Sequence, residues 1–218
     1  AVMQANYPEL NLPPFINAGI GGHKAEDMAP RFATDMRLAD KPAWTFINVG
    51  INDVWHRLGA QEDPAVLTAY TENVAKMVGQ AQAAGANVVL LTPTLIMEDA
   101  TSAGNTRLVK FVNAMQQIAA EKACRLVDLH ETFLTAIAHQ SALPLTCDGV
   151  HMAIYGDALM AIGVLRTLGV PAATLAKMDT LPLIQFRAFG MPLTQAADLL
   201  EIPPTRFAKP EFLRALFF

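Results

Sequence analysis

The stretch WTFINVGIND, residues 44–53, decides the fold of this chain. Its first part, Trp44–Val49, is largely apolar, has the length of a buried strand, and stops at Gly50. Asn52 and Asp53 follow directly, and such residues behind a glycine usually form no more than a turn. The rest of the sequence decides whether Asn52 only bends the chain or also belongs to a functional site.

Three other runs have strand length: Phe15–Ala18, Val88–Thr92 and Cys124–Leu129. The last two share with Trp44–Val49 the apolar character of strands covered on both faces. Helical patterns lie between them. The clearest begins at Pro64, where Asp63 is placed to cap it, and ends at Gly85. The other helix candidates are about Asn105–Lys122 and, with weaker patterns, Lys24–Leu38, Thr132–His139 and Ala153–Leu168.

Strands that alternate with helices of this length predict βαβ units. The predicted fold class is therefore α/β, with a three-layer, doubly wound, flavodoxin-like and mostly parallel sheet. In such folds the functional groups gather outside the carboxyl ends of the strands. The loops after Ala18, Val49, Thr92 and Leu129 are the ones to inspect for a site.

The pattern changes after about Pro171, where short helical stretches such as PLTQAADLLEIPP lie between prolines. We therefore assign residues 1–171 to the α/β domain and residues 172–218 to a helical C-terminal extension. An end as apolar as FLRALFF is unfavourable in water. We expect the extension to cover the core or to join copies of the chain in a homo-oligomer.

Composition excludes several classes of protein. With 52% apolar and 17% charged residues, the 218-residue chain is globular. A net charge of −4 gives no basic surface, so nucleic acid is not expected as a partner. No apolar run approaches the roughly 20 residues of a membrane span. We expect a soluble protein without a signal peptide at Ala1, and the compartment, secreted or periplasmic included, stays open.

Two of the strand-end loops have unusual content. The first, NAGIGGHK, contains Gly19, Gly21 and Gly22, and glycine lets the backbone come close to a ligand. The second is GIND, with Asn52 and Asp53. Each loop alone is also explained by an ordinary strand-to-helix turn.

The third unusual segment is TCDGVHM, in which Asp148 lies three residues before His151. This spacing lets the carboxylate accept a hydrogen bond from the imidazole, as in a general base and its orienting acid. An aspartate that caps the following helix is the structural alternative. No two histidines have zinc-site spacing and no cysteine joins them, so we predict no metal.

Together, NAGIGG, GIND and DGVH, in this order on an α/β chain, resemble the second, third and fifth sequence blocks of the SGNH hydrolases, the GDSL-like lipases and esterases. The resemblance covers about residues 15–170. It implies that the Gly22 backbone N–H and the Asn52 side chain bind the oxyanion. It also implies that His151 is the general base and then the acid, with Asp148 orienting it.

The resemblance also implies a small-molecule ester as substrate and no cofactor. The stretch GINDVWHR is similar to carbohydrate acetylesterase members, which suggests an acylated sugar. Trp55, His56 and His23 are then the expected substrate-binding residues. The alternative for Trp55 is that it packs under the loop. His130 and His139 are expected on the surface.

The family's nucleophile, the serine of a Gly-Asp-Ser block upstream of the glycine loop, has no counterpart here. The chain has only Ser102 and Ser141, and neither follows Gly-Asp. We expect that the N-terminal block, with the family's first strand, is missing from an otherwise active esterase. Three alternatives stay open: a degenerate relative that binds an acyl or sugar ligand, a nucleophilic role for Ser102, and a non-catalytic flavodoxin-like binding domain.

Overall fold

The computed structural model describes residue 9, residues 15–139 and residues 144–171. The chain divides into two compact units, and one of them, Ile16–Gly163, holds the sheet and every candidate residue. The other unit combines the two chain ends. Its described part includes the C-terminal end of a helix, where the N–H of Gly169 donates to the carbonyl of Arg166. The predicted extension, residues 172–218, lies outside the described residues.

The sheet has three parallel strands in the order β1-β2-β3. They are β1 (Trp44–Asn48), β2 (Asn87–Leu91) and β3 (Arg125–Val127). The register sets Ile47 beside Leu90, and Leu90 beside Leu126. The predicted α/β class and parallel sheet are confirmed.

The predicted strand Phe15–Ala18 is wrong: these residues form no strand in the structure. Ile16 is 50% exposed, and Ile20, just beyond the run, is 52% exposed. A strand needs a neighbour that takes up its backbone hydrogen bonds. Within the described residues β1 pairs only with β2, so residues 15–18 have no such neighbour.

Seven α-helices are described. They are α1 (Ala25–Met28), α2 (Phe32–Asp35), α3 (Ile51–Trp55), α4 (Pro64–Ala83), α5 (Ala103–Glu121), α6 (Leu129–His139) and α7 (Ile154–Thr167). The single helix predicted over Lys24–Leu38 is instead broken between α1 and α2. The helix breaks at Pro30, because proline lacks the N–H that an uninterrupted helix would use there. In the described part of the chain no helix is long and apolar enough to cross a membrane.

Helix α4 carries the predicted apolar stripe into the core. Val74, Met77 and Val78 are fully buried, and the ring of Tyr70 meets that of Phe111 edge-on at 4.9 Å between centroids. Burial of each such side chain contributes about 1.5–3 kcal/mol. The predicted cap is confirmed, because the Asp63 carboxylate accepts the N–H of Ala65 at 2.9 Å. The core thus fixes α4 against the sheet.

The chain leaves β1 through a closely packed turn at Gly50. The Tyr70 hydroxyl donates to the carbonyl of Val49 at 3.2 Å. Gly50 follows with φ of +126°, and a Cβ there would lie 3.1 Å from the Tyr70 hydroxyl and 3.2 Å from Cγ of Pro93. Only glycine combines this backbone conformation with this lack of space.

We therefore expect Gly50→Ala to lower the free energy of unfolding by about 2 kcal/mol, through backbone strain and the displaced Tyr70. Gly79→Ala is the matched control, because nothing lies within 4 Å of a Cβ at this position inside α4. It should raise the free energy of unfolding by about 0.5–1 kcal/mol. Urea unfolding measures the free energy of unfolding of both variants. Equal changes in the two would contradict the requirement for glycine at position 50.

Candidate active site

Asn52 and the glycine loop lie together in the structure. The Asn52 Nδ2 donates to the carbonyl of His23 at 3.1 Å. Gly22 precedes His23 with φ of +81°, and the Cε1 of His56 is 3.6 Å from the position that a Cβ on Gly22 would take. The second N–H of the Asn52 amide makes no hydrogen bond within the described residues, so it is available to a ligand.

Asp53 turns the other way, into the interior. Asp53 is only 4% exposed, and both of its carboxylate oxygens accept the N–H of Ala25, at 3.3 and 3.2 Å. Burial raises the pKa of Asp53 to about 6, and the Ala25 N–H and the Arg57 charge only partly oppose it. From the sequence, Asp53 is explained as part of an ordinary strand-to-helix turn. It is in fact a buried link between α3 and α1.

A cavity of about 180 Å³ lies beside this carboxylate. Its lining residues are Glu26, Asp53, Arg57, Ala65, Val66, Ala69 and Tyr70. Arg57 spans one wall, with Nη2 2.8 Å from Glu26 and Nη1 donating to the Asp53 carbonyl at 3.1 Å. Asp53 is therefore surrounded by one fixed cation, one further acid and a phenol.

Asp148 and His151 form the predicted pair. The Asp148 Oδ2 is 2.7 Å from Nδ1 of His151, while Oδ1 accepts the N–H groups of Val150 and His151 at 3.0 and 2.8 Å. The hydrogen bonds from the backbone and the ring of His151, in that order, lower the pKa of Asp148 to about 2. A carboxylate on Nδ1 leaves Nε2 free to take a proton. The side chain of His151 is 78% exposed, so Nε2 is accessible to a substrate.

The segment that carries this pair is fastened to the loop after β2. The Glu98 Oε1 accepts the N–H groups of Leu145 and Thr146 at 2.8 and 2.7 Å, and the Thr146 hydroxyl at 2.7 Å. The N–H of Met97 donates to the carbonyl of Gly149 at 2.7 Å. Because β1 and β2 are parallel, this loop lies at the sheet edge where β1 leads into Asn52.

The structure thus contains two groups: Gly22, Asn52 and His56, and Asp148 with His151. No hydrogen bond within residues 15–139 and 144–171 joins them. Asn52 follows β1, and the segment that carries Asp148 and His151 is hydrogen-bonded to Glu98 in the loop after β2. Their convergence on one substrate belongs to the proposal below.

Other candidates have structural explanations. Trp55 is half-buried and packs against the hydrophobic core. The Ser102 hydroxyl accepts the N–H of Asn105 at 3.2 Å and donates to the Ile96 carbonyl at 3.3 Å, so it caps α5. The surface prediction for His130 is wrong: the residue is 6% exposed, and its N–H donates to the Thr92 hydroxyl.

His23 is half-buried, and within the described residues its Nδ1 is buried without a hydrogen-bond partner. In the same part of the chain, no three His, Cys, Asp or Glu side chains are grouped to hold a metal ion. The sequence predicts neither the contacts of Glu98 nor the burial of Asp53. Both make contacts across tens of residues, with no local pattern that marks them.

The fold is that of an α/β protein with its candidate site at the carboxyl edge of a parallel sheet. Residues 2–159 match the family model of the GDSL-like lipases and acylhydrolases, and the chain belongs to this family. The chain is thus of the esterase type, a carboxylic ester hydrolase, as the resemblance predicted.

Two relatives illustrate the likeness. An acetylxylan esterase of Geobacillus stearothermophilus is 28% identical over 171 residues, which are 77% of each chain. A solved structure of a catalytic mutant of that esterase has a TM-score of 0.70 and 28% identity over 78% of each chain. An α/β hydrolase from the metagenome of Lake Arreo, Spain, has a TM-score of 0.66 and 26% identity over 78% of each chain.

The catalytic mutants of the Geobacillus esterase replace a serine, a histidine and an aspartate. In that enzyme the aspartate lies three positions before the histidine.

The buried Asp53 predicts a pH-dependent stability. The folded chain keeps a proton on Asp53 up to about pH 6, whereas the unfolded value is 3.8, so the free energy of unfolding falls as pH rises between these values. The fall amounts to about 3 kcal/mol at most. Asp53→Asn should remove this part of the pH dependence. Urea unfolding from pH 4 to pH 7 measures both proteins. If their free energies of unfolding changed with pH in the same way, Asp53 would not be the buried acid described here.

Glu98 predicts a second effect, on the His151 segment. Glu98→Ala removes the acceptor of two amides, so hydrogen exchange at Leu145 and Thr146 should become about tenfold faster or more. Glu121→Ala is the control, because Glu121 only accepts the side chain of Gln117 on the exposed face of α5. Unchanged exchange at both amides in the Glu98 variant would show that the carboxylate does not hold the segment.

Proposed function

We propose that this protein hydrolyses short-chain acyl esters, and in particular acetyl esters of carbohydrates. Gly22 and Asn52 bind the oxyanion, His151 transfers the proton, and Asp148 orients His151. The observation that carries the proposal is the 2.7 Å contact between Asp148 and Nδ1 of His151 on an accessible loop. The same spacing of aspartate and histidine in the catalytic mutants of the acetylxylan esterase supports it.

The reaction proceeds in two balanced halves. Nε2 of His151 takes the proton of a serine hydroxyl as its oxygen attacks the ester carbonyl, and returns it to the leaving alcohol. Water then attacks the acyl-serine in the same way, and the carboxylic acid leaves. This mechanism needs the serine of the family's Gly-Asp-Ser block. Residues 1–218 contain no Gly-Asp-Ser sequence, so the proposed mechanism requires a serine that these residues do not supply.

The oxyanion donors suit this chemistry. One N–H of the Asn52 amide donates to the His23 carbonyl, which fixes the amide, and the second has no partner among the described residues. An amide donates without carrying charge at any pH, and fixed donors around the tetrahedral intermediate contribute about 3–4 kcal/mol each. The positive φ of Gly22 lets the loop reverse beside Asn52 without strain.

The surroundings favour a polar alcohol part. His56 is exposed beside Gly22, and His23 is half-buried next to it. Trp55 packs on the core, whereas the His56 ring lies against the glycine loop, with Cε1 3.6 Å from the Cβ position of Gly22. Imidazole nitrogens donate to or accept from sugar hydroxyls. An acetylated sugar therefore fits better than a long-chain lipid.

The test is acetate release from acetylated xylo-oligosaccharides and from p-nitrophenyl acetate, by the protein expressed from its full coding sequence. His151→Ala should lower kcat by about 10³-fold or more, and Asn52→Ala by about 10²–10³-fold with KM nearly unchanged. Asn87→Ala is the control, since the Asn87 amide donates to the Ala43 carbonyl at the opposite end of β2.

Loss of activity in the first two variants but not in the control supports the proposal. Turnover that survives His151→Ala, or a protein that hydrolyses neither ester, would overturn it.

A further inference from the structure

We propose that Asp53 is a positioning residue that holds the two oxyanion donors, Gly22 and Asn52, at a fixed distance from each other. The inference rests on the proposed function and deepens it. It assigns a role in catalysis to a side chain that touches no substrate.

The geometry comes from two neighbouring residues that point in opposite directions. Asn52 donates to the carbonyl of His23 at 3.1 Å. Asp53 accepts the N–H of Ala25 on the interior side, with both oxygens. The short segment from His23 to Ala25 is therefore held at both ends by one dipeptide of α3. Gly22 lies directly before that segment, so its N–H is located relative to Asn52.

Asp53 satisfies an N–H at the start of α1 that no local side chain satisfies. The Asp27 carboxylate accepts the N–H of Lys24 at 2.9 Å, and the Lys24 side chain makes no cap hydrogen bond, so the N–H of Ala25 is left to Asp53. Asp53 reaches Ala25 from 28 residues further along the chain. A carboxylate that crosses between elements fixes one loop against the other, which a local cap cannot do.

The environment shows that this carboxylate is costly to keep where it is. Asp53 is buried among Glu26, Arg57 and Tyr70, and the Lys24 ammonium group is paired with Glu26. Its side-chain oxygens accept the backbone N–H of Ala25, and burial nevertheless raises the pKa of Asp53 to about 6. An uncharged apolar residue would avoid this cost. A function for the acceptor explains why a carboxylate stands there.

The test compares Asp53→Ala, which removes the acceptor, with Asp53→Asn, which keeps an acceptor oxygen. In the protein from the full coding sequence, Asp53→Ala should lower kcat for p-nitrophenyl acetate about 10–100-fold with KM within about threefold. Asp53→Asn should retain kcat within about fivefold. Asp63→Ala removes the cap of α4 and should lower stability without lowering kcat.

An NMR readout keeps the test independent of turnover. In ¹H–¹⁵N spectra, Asp53→Ala should shift the Gly22 N–H and the Asn52 side-chain amide, whereas Asp63→Ala should not. If Asp53→Ala does not fold, wild type and Asp53→Asn are titrated from pH 4 to pH 8. The N–H signals of Ala25 and Gly22 should then shift with pH in wild type through a transition that Asp53→Asn lacks. Any effect of His23 or His56 on these signals would be the same in both proteins.

The outcomes separate the two proposals. If Asn52→Ala and His151→Ala abolish turnover while Asp53→Ala leaves kcat and both NMR signals at wild-type values, the positioning role is overturned and the proposed function stands. If the signals shift but Asn52→Ala and His151→Ala keep full turnover, Asp53 positions the loop and the proposed function fails. Identical titrations of wild type and Asp53→Asn also overturn the positioning role.

Discussion

The close contact at Gly50 is the constraint on which the candidate site depends. There the chain leaves β1 with a backbone conformation that favours glycine, against the Tyr70 ring and Pro93. Tyr70 belongs to α4, which is packed in the core, and its hydroxyl donates to the carbonyl of Val49, the residue before Gly50. α3 must therefore begin at Ile51, which directs Asn52 to the glycine loop and Asp53 to the interior.

Hydrogen bonds between loops, rather than the sheet itself, complete the site. Asn52 and Asp53 fasten the segment after Gly22, and Glu98 fastens the segment that carries Asp148 and His151. Each link uses a side chain from a loop or helix at the carboxyl edge of the sheet and a backbone group of the segment it holds. The rigid strands thus set where the loops start, while a few polar contacts set where the functional groups point.

The sequence predicts those features that depend on local pattern. The strand before Gly50 and the long helix after Asp63 are identified by apolar periodicity and capping chemistry. The contact between Asp148 and His151 is predictable because the two residues are only three positions apart. Long-range facts are not predictable in this way. The run Phe15–Ala18 forms no strand for want of a neighbour, and no pattern marks Glu98 or the burial of Asp53 and His130.

The central claim is that Gly22, Asn52 and His151 act on one reacting group. The most direct measurement is ¹H–¹⁵N NMR of the protein from its full coding sequence before and after reaction with a p-nitrophenyl phosphonate, which leaves a tetrahedral anion on a reactive serine. The account predicts that the Gly22 N–H, the Asn52 side-chain amide and the His151 ring signals all shift together. Shifts at His151 without shifts at Gly22 and Asn52, or no reaction with the phosphonate, would contradict it.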